Sequence, residues 1–200
     1  MKPCSIMASL GLVFASCVKA VEEEAAMSVD GILDIRGSLH HAPCILDLHH
    51  APCILEMTSA YQTVDLGNVP RSYLQKPGDM APPIAFQLRF MECRRIAGGL
   101  PDARTSTLVW SPYEPVLSVA FVAPADADNS RLVKVKGVTG IGLRLTDELG
   151  RDIRLGAWGA PLFLTTGSDV VTWYVQPTRT SAPLTNGAFR AVADFRLNYD

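Results

Sequence analysis

The residue types best suited to chemistry crowd into one short stretch. Residues 40–48 read HHAPCILDL and residues 49–57 read HHAPCILEM, a nine-residue unit in tandem with seven consecutive identical positions. All four histidines of the chain, His40, His41, His49 and His50, lie there with Cys44 and Cys53. Imidazole and thiolate are good ligands for zinc or copper, so metal binding is the first chemistry to weigh. The HHxxC spacing matches no tight structural zinc pattern, and in an oxidising compartment one cysteine is tied up in a disulfide. The tract therefore reads as a duplicated polar surface patch, with no metal expected. A nine-residue unit in two copies is also too small for a solenoid.

Catalysis finds no better footing. Histidine often serves as a general base, but no partnered nucleophile is evident beside any of the four. The chain has no GxSxG and no HExxH motif. Gly137-x-x-Gly140-x-Gly142 departs from the dinucleotide fingerprint and lies in strand-like sequence rather than before a helix. Arg89, Arg94 and Arg95 read as a solvated strand end. No catalytic residue, no cofactor and no enzyme activity are expected. A net charge of -2 supplies no basic surface for nucleic acid.

The elements that position these residues are strands. The chain has 200 residues, 48% hydrophobic and 19% charged, which excludes a disordered protein and suffices for one domain. Large apolar residues fall at every second position in Ile84-Ala85-Phe86-Gln87-Leu88-Arg89-Phe90, at Ile141, Leu143 and Leu145, and at Val171, Trp173 and Val175. Val116–Val122 is apolar except for Ser118, as in a strand buried on both faces. Turn signals separate these runs: Lys76-Pro77-Gly78-Asp79, 124–129, Glu148-Leu149-Gly150, Thr166-Gly167-Ser168 and Thr185-Asn186-Gly187. Short strands with frequent turns predict an antiparallel sandwich. Residues 94–115 are the least regular and predict a long connection with a short strand at 107–110.

The two ends of the chain carry the clearest alternation. Phe189, Ala191, Ala193, Phe195, Leu197 and Tyr199 share one face of a final strand. Val29, Gly31, Leu33, Ile35, Gly37 and Leu39 share one face of another, behind the acidic run Glu22-Glu23-Glu24. The N-terminal strand, Val29 to Leu39, belongs either to this domain's own sheet or to another molecule. Residues 1–20 read as a secretory signal peptide: Lys2, an apolar run from Cys4 to Val18 too short to span a bilayer, and a Val18-Lys19-Ala20 cleavage site. A lipoprotein signal ending at Cys17 is the rival reading. Export leaves Cys44, Cys53 and Cys93 in a compartment where a disulfide persists. An odd number leaves one thiol over, and spacing does not fix the pairing.

Together these features resemble the pilus (fimbrial) subunits of the chaperone–usher pathway, in the type 1 fimbrial family. Gly187 stands fourteenth from the C-terminus and Tyr199 is penultimate; with the strand between them they are similar to the family's C-terminal motif. Val29-x-Gly31-x-Leu33-x-Ile35-x-Gly37 resembles its N-terminal extension. Pro52-Cys53, Val64-x-Leu66-Gly67, Phe86-x-Leu88, Cys93, Thr139-Gly140-Ile141-Gly142-Leu143 and Asp147-x-x-Gly150 follow the family's order. The family has one cysteine in the first strand where this chain has two, as though the duplication were inserted between two normal halves.

The resemblance implies an all-β, incomplete immunoglobulin-like sandwich, completed by a donor strand from a chaperone or a neighbouring subunit. It divides the chain into a signal peptide (1–20), an N-terminal extension that is the donor strand (21–39) and a pilin β-sandwich domain (40–200). Val29, Gly31, Leu33 and Ile35 would enter a neighbour's groove, with Gly31 at a pocket too shallow for a side chain. Gly187, Phe189, Ala191, Ala193, Phe195, Leu197 and Tyr199 would line this chain's own chaperone-binding groove, and the Asp200 carboxylate would meet basic chaperone residues. The implied disulfide is Cys53–Cys93, with Cys44–Cys93 as the alternative. The implied partners are a periplasmic pilus chaperone, an outer-membrane usher and neighbouring pilus subunits. The implied location is a fimbrium on the bacterial surface, reached through the periplasm. The implied role is cell adhesion as a shaft or minor adaptor subunit, since 200 residues leave no room for a tip adhesin's second domain. The competing class is a self-contained secreted β-sandwich that binds a ligand or carbohydrate.

Overall fold

Alternating side chains give each strand an apolar face, and the computed structural model packs those faces together as two sheets. It describes residues 28–39, 51–102 and 105–199, and within the first strand the side chains of 31–35. The signal peptide, Cys44, the four histidines and Asp200 lie outside the described residues.

In chain order the elements are β1 (Ser28–Leu39), β2 (Ile54–Leu55), one helical turn α1 (Met57–Ala60), β3 (Tyr61–Pro70), β4 (Ile84–Cys93), β5 (Gly98–Pro101), β6 (Leu108–Ser111), β7 (Val116–Val122), β8 (Val133–Lys134), β9 (Ile141–Asp147), β10 (Leu162–Phe163), β11 (Gly167–Arg179) and β12 (Phe189–Tyr199). One sheet has the order β10-β7-β12-β1-β3 and the other β2-β4-β11-β9-β8. β5 and β6 form a separate hairpin.

Period two does the placing. In β4, Phe86, Leu88 and Phe90 are buried while Gln87 and Arg89 are exposed. Rings from both sheets meet at the centre. Phe86 stacks on Trp173 at 6.1 Å between centroids, and Phe121 meets Trp173 edge-on at 5.5 Å. Phe195 lies 6.3 Å from Phe121. Offset and edge-on pairs of this kind add to the burial they share.

β7 is buried from Val116 through Phe121, as its apolar run, interrupted only by Ser118, predicts. Its free edge is covered by residues 156–164. Gly156 N donates to Phe121 O at 2.7 Å, Gly159 N to Val119 O at 2.8 Å and Leu164 N to Pro115 O at 2.8 Å. Covering an edge in this way removes a template for unwanted pairing. Within residues 94–115 the short strand predicted at 107–110 is present as β6, and the departure is its partner β5, which makes a hairpin of the connection. β5 reads poorly in sequence, since Gly98, Gly99 and Pro101 are weak strand formers. Its pairing with β6 places it.

The disulfide joins Cys53 to Cys93. It staples the approach to β2 onto the end of β4, where Arg94 N also donates to Pro52 O at 2.8 Å.

Candidate functional site: a strand-shaped groove

β12 and β3 each pair with β1 and not with each other. Residues 51–199 therefore form a sandwich with a gap one strand wide. One wall is β12, whose Phe189, Ala191, Ala193, Phe195 and Leu197 are all buried while Arg190, Asp194 and Arg196 are exposed. The other wall is β3, which turns Val64, Leu66 and Val69 inward.

The chain's own β1 lies in this gap. It runs parallel to β12 from Gly31↔Phe189 to Leu39↔Leu197, and antiparallel to β3 from Ser28↔Pro70 to Arg36↔Tyr61. Every other strand pair among the described residues is antiparallel. β1 and β12 come from opposite ends of the chain, so no hairpin dictates their relative direction. Leu33 and Ile35 are 0% and 1% exposed and join the core that contains Phe86, Phe121 and Trp173. The resemblance sends this strand to a neighbouring subunit; here it completes the sheet in the chain that carries it. The physical reason is that an apolar period-two strand fits any gap of matching period, and its own is within reach.

Gly31 marks the tightest contact. A Cβ built there would lie 2.2 Å from Cζ of Phe189, so the ring occupies the space a side chain would need. Gly187, at φ +142°, makes the turn into β12 in a conformation that side chains rarely adopt. Tyr199 closes the other end of the wall: its hydroxyl donates to Cys53 O at 3.3 Å, which links β12 to the disulfide. Burial pushes its phenol above the usual tyrosine range. Val29 falls on β1 opposite Val69 of β3.

Three residues of the site are not evident from sequence. Asp34 points away from the core yet is only 6% exposed. Its Oδ1 accepts from Thr63 Oγ1 at 3.0 Å, and its Oδ2 accepts from Arg190 Nε at 2.5 Å. Arg190 Nη2 completes the ion pair on the same oxygen. In the alternation Asp34 and Arg190 look like ordinary solvent-facing residues. The available signal was a lone carboxylate between Leu33 and Ile35.

Elsewhere, a cleft of about 420 Å³ is lined by residues including Asp147, Arg151, Asp152, Trp158 and Trp173. Two of its carboxylates are paired, Asp147 Oδ2 with Arg151 Nε at 2.6 Å and Asp152 Oδ1 with Arg144 Nε at 2.5 Å. Among the described residues no three of His, Cys, Asp and Glu group as a metal site.

The chain has counterparts among known proteins. Chain residues 46–200 match the family profile described as fimbrial protein. The Fimbria A protein of Serratia marcescens is 32% identical over 178 residues, covering 88% of this chain and 87% of that protein. The probable major fimbrial subunit LpfA of Escherichia coli O157:H7 is 28% identical over 180 residues, covering 88% and 87%. Among solved structures, the P pilus rod subunit PapA is similar in fold, with a TM-score of 0.59, 24% identity, and coverage of 75% of this chain and 100% of that one. A chaperone–usher pilus structure gives a TM-score of 0.60 at 22% identity, covering 80% and 94%. The profile spans well over half of the sequence, and the chain belongs to the fimbrial protein family.

Proposed function

We propose that this chain is a structural subunit of an adhesive pilus, exported and assembled on the cell surface, and polymerised when the N-terminal strand of one copy fills the groove of the next. The observation that carries this reading is the one-strand gap between β12 and β3, filled by a strand from the far end of the chain. Family membership supports the same conclusion. In this reading residues 21–39 are the donor extension and residues 40–200 the pilin domain. Val29, Gly31, Leu33 and Ile35 are the donor residues, and the strand from Gly187 to Tyr199 is the acceptor wall. The role is architectural rather than catalytic, in the shaft or as an adaptor. Strand addition suits such a polymer: backbone hydrogen bonds supply affinity and alternate side chains supply fit. A groove of unpaired edges and bare core invites aggregation, so a periplasmic chaperone and an outer-membrane usher are the partners that would handle it during export.

The test uses a subunit that accepts but does not donate. Leu33→Asp places a charge where the side chain is 0% exposed, which spoils β1 as a donor and leaves the groove walls intact. Such a subunit can sit at only one end of a fibre, where its groove is filled and no free donor strand remains, so the fibre cannot grow from that end. Co-expression with the native chain should shorten fibres, measured by electron microscopy, in proportion to the variant's share. Fibres of native length at every ratio would remove the donor-strand reading.

A further inference from the structure

We propose that the outer rim of the groove reads a charge on the strand that fills it: Arg190 and Thr63 select an extended segment bearing a carboxylate three residues after a glycine, the Gly31-x-x-Asp34 pattern of this chain's own β1. The inference rests on the groove reading above and adds a specificity determinant to it.

Asp34 stands opposite Thr63 in the antiparallel pair and opposite Val192 in the parallel pair. Arg190 lies two residues before Val192 on β12 and reaches Asp34 diagonally, as neighbours on one face of a sheet do. Its backbone is fixed on the far side by reciprocal hydrogen bonds with Lys136, at 2.9 and 2.8 Å. One hydroxyl and one guanidinium thus converge from the two walls on a single carboxylate, which they shield almost fully from water.

On the opposite face the ring of Phe189 leaves room only for glycine at position 31. The two constraints act together. A slip of one residue along the groove turns the apolar face outward. A slip of two residues puts either Ile32 or Arg36 where Asp34 sits, and either Val29 or Leu33 under the Phe189 ring. An apolar residue leaves the guanidinium without its anion, and a basic one repels it. Pockets for Leu33 and Ile35 alone would accept many apolar strands. The rim makes the groove prefer this chain's strand, supplied by itself or by a second copy.

The experiment offers a fluorescent peptide of residues 28–39 to the full chain and reads co-elution of peptide with protein. The peptides are native, Asp34→Arg and Gly31→Leu; the full chains are native and Arg190→Asp. Hydrogen bonds to charged groups are worth more than neutral ones, but Arg190 is largely exposed, so a loss of about tenfold is expected for Asp34→Arg on the native chain. Binding should return when that peptide meets the Arg190→Asp chain. Equal binding of the Asp34→Arg and native peptides overturns the charge reader; if Gly31→Leu still fails to bind, the groove reading survives. The chain's own β1 competes with the peptide, so exclusion of the native peptide moves the decision to the intact chain. The same swap inside one chain then decides the rim: Asp34→Arg and Arg190→Asp should each lower the thermal midpoint and the double variant regain it, whereas additive losses overturn the proposal.

Discussion

Replacing Gly31 by leucine strains the groove where it is narrowest. The new Cβ would lie 2.2 Å from Cζ of Phe189 and 2.6 and 2.7 Å from its two Cε atoms, separations that real side chains essentially never show. Phe189 is itself buried, so its ring has no solvent to swing into. Either the ring repacks or β1 loosens. Overpacking of this kind costs about 1–3 kcal/mol. Against it stand the burial of Leu33 and Ile35, roughly 1.5–3 kcal/mol each, and the hydrogen bonds of two strand pairs at about 1 kcal/mol net apiece. The penalty is smaller than the hold, so β1 stays docked but opens more often, by about 5–150-fold. Hydrogen exchange reads this directly. Amides of 31–35 and of the facing β3 should exchange faster by that factor, with β4 and β11 of the other sheet unchanged. Phe189→Ala alone should cost about 3–5 kcal/mol. Added to Gly31→Leu it should cost less, because the leucine fills the vacated space. Unchanged exchange, or strictly additive losses, would refute the interlock of ring and glycine. In a fibre assay the same Gly31→Leu chain should polymerise poorly.

Two further perturbations probe the wall and its staple. Cys93→Ser opens a disulfide with a sequence separation of 40. Chain entropy then predicts a loss of about 4 kcal/mol, seen as a lower urea midpoint and a lower periplasmic level; an unchanged midpoint would mean the staple contributes nothing. Tyr199→Phe keeps the ring and removes the hydroxyl that donates to Cys53 O. Burial raises the folded phenol above the ordinary tyrosine pKa, so the native state favours the protonated form. Its stability is intact below pH 10 and falls as pH rises beyond that, when only the unfolded phenol ionises. The variant should therefore lose about 1 kcal/mol at neutral pH and unfold at a higher alkaline midpoint. Identical alkaline curves would show that another group sets that limb.

Much of the fold is legible in the sequence because burial on one face writes a period of two. Phe86, Leu88 and Phe90 announce β4, and the series from Phe189 to Leu197 announces β12, since each must turn alternate residues to the core. β5 escapes because glycines and a proline form a strand only through their partner β6. The pairing of Cys53 rather than Cys44 follows from the strand contacts of Pro52, Ile54 and Leu55, which the identical first copy of the repeat disguises in sequence. The inward face of β1 is legible as Gly31, Leu33 and Ile35; the rim is not. Periodicity marks Asp34 and Arg190 as outward, and only the alignment of three strands shows that the two are paired and that Asp34 is covered.

The same chain carries both the groove and a strand that fits it, and this sets the terms of assembly. A strand carried on the same chain as its groove competes intramolecularly, at an effective concentration on the order of millimolar. A neighbouring copy offers identical side chains at whatever concentration the compartment holds. At micromolar subunit concentrations the tethered strand then wins by about a thousandfold, from proximity alone. Polymerisation must overcome that advantage without better contacts, because the competing strands have one sequence. Two routes remain. A chaperone that occupies the groove before β1 docks removes the tethered competitor at the outset. Failing that, exchange waits for β1 to open, so its rate follows the opening equilibrium of that strand. The Gly31→Leu chain separates the routes: it weakens β1 both as tenant and as donor. When it is mixed with native donors and no chaperone is present, its groove should be captured faster than the native one. Equal capture rates would mean that opening of the tethered strand does not limit exchange.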